Sequence, residues 1–348
     1  MFYASKRRMH SILLVAITSS IVILVLVNEY LNEKNYNHKL RLVHITSMDK
    51  KNNSYASLLT DSLPTAEGEP ILHKTHLISR KRCLHKIFLL NMVISSPYNF
   101  EKRSAIRKTR ASGPSVDDEW KTVFLVGQGN GDRLQNEQLE AEERVHGDLI
   151  RGAQKEHYRN LTLKTQMGLE WASKYCDFQF LVKSDDDVFV HRYNLIAFLK
   201  KPDTPKTKLY TGRCPQQGTP RRGGRYGVSW EEYNETRYPP FCAGPAYVLS
   251  SDLVPKLVDL FDVKAPLPLE DVYIGTLVDK IGGVKAVTHP RFRLLEFGPC
   301  RYHSDIFAYH KVKNEICRIE LFNLAMKERL QATQRPRVIM SGKNDTEP

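Results

Sequence analysis

Residues 181–190 read LVKSDDDVFV. Three consecutive carboxylates close a run whose first half has the apolar, β-rich character of an internal strand. Residues 178–183 therefore read as a buried strand, and Asp185, Asp186 and Asp187 fall at its carboxyl end. In open α/β sheets that end is where ligands gather. Asp185 and Asp187 are two residues apart, so a short turn can aim both at one point. Their hard oxygens suit Mg2+ or Mn2+ better than Zn2+, and a cation there would hold a phosphate. Taken alone, the same run also reads as a solvated acidic turn, and the rest of the chain has to decide.

Outward from this strand, residues 87–95 (IFLLNMVIS) and 122–127 (TVFLVG) read as further central parallel strands. Residues 134–146 and 160–175 read as helices, the second with Leu163, Met167 and Trp171 on one core-facing stripe. A helix is expected near 192–200, a strand at 246–250, and helices over 252–261 and 270–281, the last opened by Glu270 and Asp271 and stopped by Gly282 and Gly283. Between 202 and 240 the chain is rich in Pro and Gly without a period, which marks a binding loop or lid. This alternation predicts an α/β domain with a mostly parallel central sheet.

The ends speak to location. Lys6, Arg7 and Arg8 precede an uncharged run at 11–27 with no small-residue cleavage site after it. It reads as a transmembrane signal-anchor, with a cleaved signal peptide as the alternative. The basic flank places residues 1–10 in the cytosol. Residues 28–82 read as a lumenal stem and 83–348 as the lumenal globular domain, which the resemblance given below makes the catalytic one. Four sequons, at Asn52, Asn160, Asn234 and Asn344, fit that side of the membrane. So do six cysteines, an even number with no C-x-x-C pair, which disfavours zinc and leaves 15 disulfide pairings open. The formal charge of +13 would suit nucleic acid, but the basic residues are scattered and a lumenal protein meets none. One local cluster, PRRGGRYG with Arg221, Arg222 and Arg225, stands out as a place to meet an acidic or phosphorylated ligand.

With these pieces in order, the chain resembles the β-1,3-galactosyltransferase family, glycosyltransferase family 31, from about residue 87 to 312. The resemblance is carried in sequence by SSPYNFEKRSAIRKT at 95–109, FLVG at 124–127, EERVHGDLI with YRNLTLKT after it, KSDDDVFV at 183–190, YPPFCAGPAYVLS at 238–250, LEDVYIG at 269–275 and CRYHSDIFAYHKV at 300–312. It implies a GT-A-type nucleotide-sugar-binding fold behind the anchor and stem. It also implies a single-pass type II membrane enzyme of the Golgi, or the endoplasmic reticulum. Such an enzyme moves galactose from UDP-galactose, with inversion and with Mn2+ or Mg2+, to a hydroxyl of a glycoprotein, glycolipid or proteoglycan acceptor in β-1,3 linkage. UDP-GlcNAc or UDP-GalNAc is the alternative donor, and a catalytically silent carbohydrate-binding relative the alternative class.

By the same resemblance Asp185 and Asp187 belong to the metal site, with His310 completing it and His303 a weaker candidate. Asp185 and Asp186 lie at the nucleotide. The catalytic base is a carboxylate of the EDV motif, Glu270 or Asp271, with Asp271 favoured. Arg103 and Arg107 fork onto phosphate or ribose oxygens, or else pair with acids as structural residues. Lys183 either touches UDP or balances charge. Three departures fall near recognition surfaces: Arg110 where the family has Trp, Ala153 and Gln154 where it has an Asp-Phe pair, and Arg225 and Tyr226 where it has Lys-Trp.

Overall fold

The computed structural model describes residues 73–109, 119–129, 133–294, 300–312 and 314–334. The cytosolic tail, the anchor at 11–27, most of the stem, Asn52, Arg110 and Asn344 lie outside the described residues.

In chain order the elements are β1 (Ile87–Ile94), α1 (Phe100–Lys108), β2 (Trp120–Gln128), α2 (Arg133–His146), β3 (Leu149–Lys155), α3 (Leu161–Tyr175), β4 (Phe178–Asp185), β5 (Val188–Val190) and α4 (Arg192–Lys200). They continue with β6 (Tyr210–Gly212), β7 (Ala246–Ser250), α5 (Leu253–Asp259), α6 (Glu270–Ile281), β8 (Ala286–Thr288), β9 (Phe292–Arg293), β10 (Ala308–His310) and α7 (Glu315–Gln334). One sheet has the order β3-β2-β1-β4-β7-β6-β8. Its first four strands are parallel, β7 runs against both β4 and β6, and β8 is parallel to β6. This is the expected α/β architecture with a mostly parallel central sheet. The apolar runs of β1 and β4 follow from their central place, because both faces of such strands are covered.

Helix α3 lies on β2 and β3 and beneath α5 and α6. The expected stripe is only part of its buried surface: Met167 and Trp171 are buried, Leu163 is half-buried, and Thr165, Gln166, Leu169 and Glu170 are buried as well. A helix covered on nearly every side shows no single stripe. Gly168 permits its close approach to the sheet, since a Cβ there would meet Leu125 Cδ1 at 2.3 Å.

The last ten residues of the stretch read as stem are ordered against the domain. Residues 73–82 pack on the domain: Leu77 is buried and bridges to Gly152, and the amides of Lys74 and Thr75 donate to the buried Glu170 carboxylate at 2.6 and 2.8 Å. Their contacts come from isolated residues and main chain, so no period announced them. The disulfide Cys83–Cys176 ties this segment to the end of α3. The other two pairs are Cys214–Cys242 and Cys300–Cys317.

A second sheet, β5-β10-β9, pairs His310 with Val188 in register. It therefore carries His310 to the far side of the DDD turn. Against it packs α7, which the sequence reading did not anticipate. Leu321, Phe322 and Ala325 are buried while Ile316, Leu324 and Leu330 are exposed, so apolar residues on both faces blurred the helical signal.

Candidate active site

Asp185 ends β4, and the chain turns through Asp186 and Asp187 into β5. Main chain holds this turn from several sides. Asp185 N donates to Pro245 O at 3.0 Å, Asp186 N to Ile94 O at 3.1 Å, and Val312 N to Asp187 O at 2.9 Å. From α7 the buried Arg318 donates to Asp186 O at 2.6 Å and Val188 O at 2.8 Å. No sequence signal singled out Arg318, because its partners are carbonyls. The Asp186 side chain turns into the protein and accepts from Ser95 Oγ at 2.9 Å, Asn99 Nδ2 at 2.7 Å and Lys102 Nζ at 2.9 Å. It anchors the turn to the β1–α1 connection, which corrects the expectation that it contacts the nucleotide.

Lys183 takes the charge-balancing alternative. Its buried ammonium donates to Asp185 Oδ1 at 2.8 Å, Gly244 O at 2.6 Å and Glu270 Oε2 at 3.1 Å. An ammonium has three N–H groups, and all are spent. Burial opposes its charge, but Asp185 and Glu270 outweigh burial and hold its pKa above the ordinary lysine value. Lys183 therefore balances charge rather than touching UDP.

The two acids that open α6 differ sharply. Glu270 is buried, with Oε2 on Lys183 and Oε1 accepting from Tyr247 Oη at 2.6 Å. Tyr247 is the β7 partner of Lys183 in register, so the strand pairing delivers this hydroxyl. Asp271 is half-buried and, among the described residues, accepts only main-chain N–H groups, from Gly244 at 3.0 Å and Val272 at 2.9 Å. Burial pushes its pKa above the ordinary carboxylate value, and those two N–H groups offset the push in part. A Cβ at Gly244 would stand 3.4 Å from both Asp271 Oδ2 and Glu270 Oε2, so a residue without a side chain keeps that face of the acids open.

Across the turn, His310 Nε2 lies 3.6 Å from Asp187 Oδ2, and His310 Nδ1 is 3.0 Å from Leu294 O. Facing a carbonyl, Nδ1 must donate, which leaves the Nε2 lone pair of the neutral ring aimed at the carboxylate. Burial works against both charges, yet pairing prevails: His310 is held above the ordinary imidazole pKa and Asp187 below the usual carboxylate range. Two acceptors facing each other need a proton or a cation between them. This donor set fits a divalent ion. Among the described residues no three His, Cys, Asp or Glu side chains converge as a closed cage. An ion of the Mg2+ type is commonly held by one or two protein groups together with substrate phosphates. His303 lies instead against Arg293, 3.3 Å from its Nη1.

Arg103 and Arg107 take the structural alternative. Arg103 is fully buried and spends all five N–H groups on Glu142, Ser95, Ser96 O and Pro97 O. Arg107 forks onto Asp148 at 2.7 and 2.9 Å and reaches Glu142 at 2.7 Å. Both bind α1 to α2 and its following turn.

The family model described as galactosyltransferase matches residues 101–289, more than half of the chain. The chain belongs to the galactosyltransferase family. This family member is 33% identical over 234 residues to beta-1,3-galactosyltransferase 5 of Gorilla gorilla gorilla, covering 65% of this chain and 78% of that one. To beta-1,3-galactosyltransferase 1 of Mus musculus it is 29% identical over 283 residues, 79% of this chain and 84% of the relative. To N-acetyllactosaminide beta-1,3-N-acetylglucosaminyltransferase 3 of Homo sapiens it is 31% identical over 247 residues, 66% of each. It is a glycosyltransferase. The matched stretch contains Lys183, Asp185, Asp187, Glu270 and Asp271, whereas His310 and Arg318 fall beyond it.

Proposed function

We propose that this protein transfers galactose from UDP-galactose, with inversion, to a glycan hydroxyl in β-1,3 linkage, with Asp271 as general base. The observation that carries the reading is the contrast between neighbours: Glu270 has both oxygens committed inside the protein, whereas Asp271, half-buried, has only main-chain N–H partners among the described residues. A base must keep a lone pair available to the proton it takes. Burial makes the Asp271 carboxylate more basic than a solvated one. It accepts the acceptor hydroxyl's proton as the oxygen attacks the anomeric carbon from the side opposite UDP. Lys183 fixes Asp185 and Glu270 so that the carboxylates do not repel one another apart.

Asp185, Asp187 and His310 would hold Mn2+ or Mg2+, which when bound neutralises charge on the departing diphosphate. Residues 11–27 would anchor the enzyme in the Golgi membrane, with the domain on the lumenal side. The relative named as an N-acetylglucosaminyltransferase supports UDP-GlcNAc as the second reading of the donor. UDP release measured with purified protein, Mn2+, UDP-galactose, UDP-GlcNAc and UDP-GalNAc, and a panel of β-linked acceptors decides among donors. Turnover with galactose fastest is expected. No release with any donor contradicts the reaction.

A further inference from the structure

The Cys214–Cys242 disulfide closes a loop that carries PRRGGRYG, the basic cluster to which no part of the proposed chemistry gives a role. Two of its arginines have different fates. Arg222 is spent within the loop: it donates to the carbonyls of Val228, Ser229, Tyr233 and Glu235 and lies 3.5 Å above the Trp230 ring. Arg225 is exposed, and no carboxylate among the described residues pairs with it. Its guanidinium carbon stands 4.4 Å from the Tyr158 ring centroid and 5.8 Å from that of Tyr226. Those two rings meet edge to face at 5.9 Å.

This group sits at the substrate end of the sheet. Tyr158 follows β3 by three residues, at the same carboxyl edge of the parallel strands that Asp185 ends. Beside it Arg159 donates to Gly227 O at 3.1 Å and pairs with Glu232, which pins the loop against Tyr158. Burial foremost raises the Tyr158 phenol to about 12, with Tyr226 adding to the rise and the Arg225 charge opposing it.

A guanidinium stacked on aromatic faces is held in orientation while its N–H edge stays free to fork onto an oxyanion. The exposed ring of Tyr226 and the half-buried ring of Tyr158 beside it offer apolar surface to a sugar. We propose that Arg225, held on Tyr158 and Tyr226, reads an anionic substituent of the acceptor glycan, either a uronic or sialic acid carboxylate or a sulfate ester, beside the hydroxyl that Asp271 deprotonates. The inference rests on Asp271 marking the acceptor side.

Calorimetry on the purified protein with UDP and Mn2+ tests it. The probes are glucuronic acid β-linked to galactose with its carboxyl-reduced counterpart, and 6-sulfated N-acetyllactosamine with its unsulfated parent. A forked contact to a charged group predicts that one anionic probe binds wild type about tenfold or more tighter than its neutral partner. That ratio should fall below about twofold in Arg225→Gln and recover in part in Arg225→Lys, which keeps the charge and loses the fork. Which pair shows the preference separates carboxylate from sulfate. Equal binding of both pairs by wild type overturns the inference. So does a ratio that survives Arg225→Gln, or a tenfold loss of UDP affinity in that variant, which would assign the guanidinium to the donor. Binding is read without turnover, so a protein that shows this preference yet transfers no sugar contradicts the proposed reaction and not this inference.

Discussion

Lys183 Nζ and Glu270 Oε2 meet at 3.1 Å, joining the end of β4 to the first turn of α6 with both side chains buried. The same ammonium holds Asp185, so the DDD turn and the EDV helix are oriented by one charge. Removing one partner of a buried pair strands the other. Lys183→Met should therefore destabilise the domain by about 3–5 kcal/mol, a drop of roughly 10 °C in melting temperature for a domain of this size. An unchanged melting temperature by scanning calorimetry would show that the lysine is not the keystone of this cluster.

Arg103 should behave as a structural residue. Its five donors are all committed, so Arg103→Met is expected to cost about 3–5 kcal/mol in chemical unfolding while UDP affinity of the folded protein stays within twofold. A large loss of UDP affinity at unchanged stability would restore the nucleotide role.

The fold was legible where pattern and burial agree, and less so where they part. Continuous apolar runs announced β1, β2 and β4, because central strands in this sheet are covered on both faces. Helix α7 was missed because Ile316, Leu324 and Leu330 point outward among its buried residues. Asp185, Asp187, Asp271 and His310 are candidates through the family resemblance. What their neighbours do could not be read that way, because Tyr247 reaches Glu270 through strand register and Arg318 supports the turn through carbonyls that any residue supplies. The arginines of α1 looked like nucleotide ligands because Glu142 and Asp148 come from a distant part of the chain.

Glu170 gives a pH dependence of stability. Burial favours its neutral form, but Lys174, Thr75 and the amides of Lys74 and Thr75 outweigh that and depress its pKa below the ordinary 4.5. A depressed carboxylate contributes stability that is fully present above the unfolded value and is lost as pH falls through the folded one. Melting temperature should thus fall on acidification below about pH 4.5, and more steeply in wild type than in Glu170→Gln. Parallel acid profiles for the two proteins would contradict this assignment.

For the metal, UDP binding by calorimetry should require a divalent ion, since unscreened carboxylates repel a diphosphate. His310→Ala should raise the Mn2+ concentration needed for half-maximal UDP binding by about 10-fold or more if the imidazole is a ligand. Full UDP binding in excess EDTA would remove the metal from the account.

The central claim is that Asp271 takes the acceptor proton, and kinetics of Asp271→Asn paired with calorimetry for UDP and Mn2+ test it most directly. The substitution keeps the shape and the main-chain contacts to Gly244 and Val272 but removes the base. The account predicts a fall in kcat of about 10²-fold or more with UDP affinity retained, and a smaller effect on kcat from Glu270→Gln, which should act mainly on stability. Because burial raises the Asp271 pKa, wild-type kcat should decline on the acid side at a pH above the ordinary carboxylate value of 3.8. An Asp271→Asn protein with near wild-type kcat, or one that has lost UDP binding, would contradict the claim.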